Sequence, residues 1–122
     1  MNTYSQSTGR WLVNGELFTT CYSGIGEGLN NPDMQEVHNI GPTPRGLYII
    51  GPPYHHPKLG ELTMNIVPRP NTLTFGRTDF RVHADLYGWP SLHRASHGCI
   101  IMLKAYREKL AVSLDRELDI IY

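Results

Sequence analysis

Apolar and polar residues alternate along several short stretches of this chain, and turn residues separate them. Residues 10–13 read as a strand, Asn14-Gly15 as a type I′ turn and residues 16–22 as the returning strand, because Asn-Gly accepts the positive φ that such a turn demands. Strict alternation puts Leu17, Thr19 and Cys21 on one face of that second strand and Phe18, Thr20 and Tyr22 on the other. Cys21 is then a small core residue. Residues 46–50 read as a strand that ends at Gly51-Pro52-Pro53, and residues 62–67 as another, stopped by Pro68 and Pro70. In a further strand, 80–84, Phe80, Val82 and Ala84 point one way, while Arg81 and His83 point the other, toward a cleft or solvent. Leu103, Tyr106, Leu110 and Leu114 recur at helical spacing, which predicts a helix over 103–114 with Lys104, Arg107, Glu108 and Lys109 largely on its polar side. Residues 117–122 read as a closing strand.

The periodicity disappears between residues 23 and 45, where Gly, Pro and Asn crowd together. A loop this long in a small domain is usually functional or disordered. Ile25, Leu29, Met34, Val37 and Ile40 are the expected anchors of a structured loop beside a binding site. The sum of these elements is a mainly β domain over residues 1–122, a small β-sandwich or curved mixed sheet with one helix. No internal repeat, linker or low-complexity segment interrupts it.

Composition narrows the function. The 122 residues carry 11 Lys+Arg against 11 Asp+Glu, a formal net charge of zero with His neutral. Such a balance gives no electrostatic reason to expect nucleic acid or an anionic membrane as partner. The apolar runs are far too short for a membrane span. The first residues lack the charged start and apolar stretch of a signal peptide, so the chain reads as cytoplasmic, as a trimmed mature form, or as made in the cytoplasm and exported without a cleaved signal. Two cysteines, Cys21 and Cys99, are too few for a disulfide framework.

The chemistry gathers around Cys99. A cysteine nucleophile needs a base, donors for the developing oxyanion and access to substrate. Ser96-His97-Gly98-Cys99 offers a route to each: Gly98 lets the backbone approach a substrate, and amides near Gly98 and Cys99 can converge on one oxygen. His83, sixteen positions upstream on the polar face of its strand, is the best base; His97 is the other possibility and can line the site. An active cysteine is expected to have a lowered pKa and to alkylate quickly near neutral pH.

His83, a twelve-residue spacer and Ser96-His97-Gly98-Cys99-Ile100 together resemble the signature of the L,D-transpeptidase (YkuD-type) family. The resemblance extends along the chain through Tyr4-Ser5-Gln6-Ser7-Thr8-Gly9, Tyr22-Ser23-Gly24, Asn30-Asn31-Pro32, Gly41-Pro42-Thr43-Pro44-Arg45-Gly46 and Gly51-Pro52-Pro53. These segments look like the type VI secretion L,D-transpeptidase effector branch. The resemblance implies a helix after the catalytic strand and an enzyme delivered into a neighbour's periplasm. There it would act on peptidoglycan tetrapeptide stems, removing the terminal D-Ala or exchanging it for another D-amino acid. It also implies an immunity protein and a secretion carrier as partners, and no metal or other cofactor. Cys99 would be the nucleophile and His83 the base, with Ser96, His97 and Gly98 completing the catalytic segment. Two positions depart from the wider family: Ala84 stands where Gly follows the upstream histidine, its carbonyl expected to orient that histidine, and Ile101 stands where an Arg is usual. Arg81 is then the first choice to bind the substrate carboxylate, with Arg77 and Arg94 behind it.

Other readings compete. A lone cysteine is usually a core residue, and a catalytically inactive wall-binding or interaction module is the alternative from a different class. His93 and His97 are four apart and His55-His56 adjacent, but their loop context and the absence of HExxH or paired CxxC argue against zinc.

Overall fold

A computed structural model describes residues 1–85 and 95–122. Among the described residues the strands are β1 (Asn2–Ser5), β2 (Arg10–Val13), β3 (Glu16–Thr20), β4 (Tyr22–Ser23), β5 (Gly46–His56), β6 (Gly60–Pro68), β7 (Arg81–His83), β8 (Ile100–Ile101) and β9 (Glu117–Ile121). One helix, α1 (Lys104–Ala111), follows β8, and short 3₁₀ turns occupy Gly26–Gly28 and Pro32–Met34. The strands form one mixed sheet in the order β3-β2-β1-β9-β5-β6-β7-β8-β4, parallel only at β1–β9 and β7–β8. Its two edge strands, β3 and β4, are separated in sequence by Cys21 alone. A sheet whose opposite edges are joined by one residue must curl until the edges meet, so the fold is a nearly closed, strongly curved sheet. Curvature is what lets one inner face enclose a core in so short a chain.

That core holds Tyr4, Trp11, Tyr48, Ile50, Met64, Ile66, Val82, Ile100, Leu118 and Ile120. Each comes from alternate positions of its strand, as the period of 2 requires. Helix α1 closes one side with Leu110 buried and Tyr106 half-buried, Tyr106 meeting Phe18 edge-to-face at 5.2 Å.

Several local expectations are corrected. The Asn14-Gly15 turn forms with positive φ at both residues (51° and 83°), but alternation does not run unbroken along residues 16–22. Trp11 pairs with Thr19 and Leu12 with Leu17, so Phe18 is an extra residue that reverses the faces. Leu17 is therefore exposed and Thr19 buried. Strand β5 does not stop at Gly51-Pro52-Pro53. It continues to His56 through a register shift between Ile50 and Pro53, the irregularity at which prolines without an N–H fit a sheet. The helix ends at Ala111, so Leu114 is 99% exposed instead of packed. Arg107, assigned to the polar side, is buried: its Nε donates to Met102 O at 2.9 Å and its Nη1 to Glu61 O at 2.7 Å.

Candidate active site

The site is built on the parallel pair β7–β8. Val82 lies opposite Ile100 and His83 opposite Ile101. Val82 and Ile100 face the core. The residues between them in the alternation, Arg81 and His83 on one strand, Cys99 and Ile101 on the other, share the opposite face. At one end of this face Ile101 packs with Tyr22, Ala95 and Leu29. His83 is 2% exposed, and its Nδ1 lies 2.7 Å from Ala84 O. Only an N–H can meet that carbonyl, so Nδ1 carries the proton and Nε2 is left as acceptor. Burial pushes the His83 pKa down to about 4, against an opposing pull from the Ala84 carbonyl.

The turn leading into β8 is fixed by buried polar contacts. Ser96 is fully buried; its Oγ accepts from Gly24 N (2.9 Å) and Gly98 N (3.2 Å) and donates to Cys99 O (2.5 Å). The Gly98 carbonyl accepts from Thr43 Oγ1 and from Ser23 Oγ at 3.5 Å, while Thr43 N donates to Ser23 Oγ at 2.9 Å. The loop of residues 23–45 is thus anchored by Ser23, Thr43 and buried Gly24, Gly28 and Gly41 more than by apolar side chains. Of the expected anchors, Leu29 joins an apolar cluster and Ile40 is exposed.

Two roles change with this geometry. Gly98 has φ +136°, and a Cβ there would lie 2.5 Å from Arg77 Nη2. Its bare backbone makes room for a guanidinium, not for a substrate. Its amide is spent on Ser96, which makes it a poor oxyanion donor. Arg77 is 5% exposed. Its Nη1 donates to Pro42 O (2.7 Å) and Gln35 O, and its Nη2 to Gly41 O (2.9 Å). A guanidinium held by three carbonyls, with Phe80 beneath it, braces the loop; it is not a free carboxylate receptor.

Cys99 is half-buried, and its Sγ donates to Asp79 O at 3.6 Å. Burial pushes its thiol pKa up. The Arg81 backbone amide and the Arg81 charge pull the other way, Asp79 adds to the rise and Arg77 offsets it, with burial the largest. The expected low-pKa thiolate is therefore not what these surroundings favour: thiol and imidazole are both held neutral. A cleft of about 240 Å³ opens beside the sulfur, lined by His38, Asn39, Thr78, Asp79 and His97 among others. His97 is exposed, its Nδ1 3.2 Å from Asn39 O. Arg81 is half-buried; its Nε donates to Tyr54 Oη at 3.2 Å. Arg94 and His93 lie outside the described residues.

Asp79, His38 and Asn39 were not singled out from sequence. Alternation gave no signal for Asp79, since β7 begins at Arg81 and Asp79 itself turns at φ +63°. Asn39 and Asp79, which both line the cleft, have positive φ (61° and 63°).

Residues 18–118 match the model of a family described as the Tlde1 domain. No curated protein sequence matches the chain. Among solved structures the chain is similar to an L,D-transpeptidase from Enterococcus faecium, crystallised as a cysteine-to-serine mutant, with a TM-score of 0.60 and 12% identity. That match covers 98% of this chain and 48% of the enterococcal one, so this chain spans about half its length. At such identity the likeness is one of fold.

Proposed function

The chain belongs to the Tlde1 domain family, type VI effector domains of L,D-transpeptidase-like fold, and on that footing we propose that it is a cysteine L,D-carboxypeptidase/L,D-transpeptidase acting on peptidoglycan tetrapeptide stems. The observation that carries the reading is the parallel register of β7 and β8, which puts Cys99, Arg81 and His83 on one face, with Cys99 bordering the cleft and His83 buried. Cys99 falls opposite Arg81, and His83 is its diagonal neighbour across the pair, about 7–8 Å away, a span the two side chains close once the thiol turns toward the imidazole.

The thiol turns from Asp79 O to His83 Nε2 as substrate enters. His83 takes the Cys99 proton as the sulfur attacks the carbonyl between the third residue and the terminal D-Ala. Because both groups start neutral, proton transfer accompanies attack, and no ion pair waits beforehand. The Cys99 amide receives the oxyanion, and His97, its Nδ1–H on Asn39 O, lines the cleft beside it. The imidazolium is a strong acid, since burial disfavours its charge, and gives its proton to the leaving D-Ala amine. The acyl group remains as a thioester on Cys99. Water, deprotonated by His83, releases a tripeptide carboxylate and restores the thiol; the amine of a D-amino acid instead yields the exchanged tetrapeptide. Arg81 binds a substrate carboxylate, and Ala84 O holds the imidazole in its productive tautomer.

Mass spectrometry of purified tetrapeptide-stem muropeptides tests this, with and without an added D-amino acid. Loss or replacement of the terminal D-Ala supports the reading. Unchanged stems with folded protein overturn it and favour a wall-binding module without activity. Delivery into a neighbouring cell's periplasm, with an immunity protein in the producer, belongs to the same proposal.

A further inference from the structure

A second cavity of about 300 Å³ lies next to the Cys99 cleft, bounded by Asn65, Thr74, Thr78, Asp79 and Arg81 among others. Arg77, Thr78, Asp79 and Phe80 line both spaces, so they form the wall between them. Asp79 of this wall and Arg81, which lines the second cavity, are a carboxylate and a cation only loosely paired with each other. Arg81 Nη2 and Asp79 Oδ1 are 4.0 Å apart, the outer limit of an ion pair, with the Asp79 side chain 77% exposed and that of Arg81 24%. The guanidinium does not float. Its Nε is tied to Tyr54 Oη, which itself donates to Asn65 Oδ1 at 2.7 Å, and its Nη1 reaches Asp79 O at 3.3 Å. Asp79 is held at φ +63° directly beside the sulfur, to which it offers its carbonyl.

An α-amino-acid head carries an ammonium and a carboxylate on one carbon, the complement of this pair. We infer that Asp79 and Arg81 together read a zwitterionic α-amino-acid head, its carboxylate on Arg81 and its ammonium on Asp79. The inference rests on the reaction proposed at Cys99. Two parts of that reaction present such a head. One is the distal end of a third residue of the diaminopimelate type; a lysine there has the ammonium without the carboxylate. The other is an incoming free D-amino acid. With the reacting carbonyl at Cys99, a head in the second cavity selects the stem; with a thioester already formed, the same pair would select the acceptor.

Two variants test it. Asp79→Asn keeps a residue that accepts positive φ, and Arg81→Gln leaves the backbone amide beside the sulfur in place. Rates are compared on stems with diaminopimelate, with lysine and with the distal carboxylate amidated, and in exchange with D-amino acids. If the head belongs to the stem, the unmodified protein prefers the diaminopimelate stem by about tenfold or more in kcat/KM, the effect of one lost charged hydrogen bond. Arg81→Gln then removes that preference while the KM for the acceptor stays put. If the head belongs to the acceptor, both variants raise the acceptor KM and leave stem preference unchanged. Stem cleavage with neither effect overturns the inference and leaves the reaction standing. A reaction-independent arm uses Cys99→Ala protein and NMR titration with free diaminopimelate, pimelate and cadaverine. Shifts at residues 79–81 with diaminopimelate alone uphold the site even if no stem is cleaved. Equal responses to all three, or none, overturn it.

Discussion

Gly98 and Arg77 occupy complementary space: a Cβ on Gly98 would fall 2.5 Å from Arg77 Nη2. The guanidinium cannot swing away without releasing the carbonyls of Gln35, Gly41 and Pro42. Gly98→Ala is therefore expected to cost about 1–3 kcal/mol, from positive-φ strain and a displaced buried hydrogen-bond set. Pairing it with Arg77→Ala should cost less than the sum of the two, because the second change removes the clash. Urea unfolding of the single and double variants measures this.

Ser96 is a positioning residue. Its hydroxyl serves Gly24 N, Gly98 N and Cys99 O while fully buried. Ser96→Ala leaves those groups without a partner and is expected to lower stability by about 1–3 kcal/mol. It should reduce kcat more than it raises KM, since the nucleophile's turn is what loosens. Steady-state kinetics beside thermal unfolding separate the two effects.

His83 makes stability depend on pH. Its folded pKa, about 4, lies below its ordinary 6.5, so between these values the unfolded chain binds the extra proton. The contribution is fully present above pH 6.5 and is lost as pH falls toward 4, amounting to at most about 3 kcal/mol. His83→Gln should flatten this window in a series of unfolding curves, whereas a variant at exposed His55 should leave it unchanged.

Thiol chemistry gives the next expectation. Burial raises Cys99, so alkylation by iodoacetamide in the absence of substrate should be slow at pH 7 and accelerate into the alkaline range. Arg81→Gln should slow it further at a given pH by removing a cation that favours the thiolate. Cys21, buried with its pKa driven strongly upward, should react only on unfolding.

Much of this architecture was legible because alternation is a strong local signal. Val82 and His83 declared their opposite faces, and Asn14-Gly15 its turn. What escaped depends on non-local structure. Phe18 bulges because β3 must pair with β2 and then cross to the other edge of a curled sheet, which no window around Phe18 reveals. Arg107 looks like a surface residue of its helix, yet it answers the carbonyls of Met102, Glu61 and Leu62. The cysteine, the histidine and their motif stood out by residue type and spacing. The brace of Arg77 and the wall residue Asp79 did not, since their roles come from contacts with loops 35 or more residues away, or from backbone strain.

The central claim is a thioester on Cys99, and hydroxylamine partitioning tests it most directly. Tetrapeptide stems are incubated with the protein and rising hydroxylamine, and D-Ala, tripeptide acid and tripeptide hydroxamate are quantified beside a Cys99→Ala control. The account predicts hydroxamate rising at the expense of the acid, with no D-Ala released by the control. D-Ala release without hydroxamate at any amine concentration, or release by the control, would contradict it.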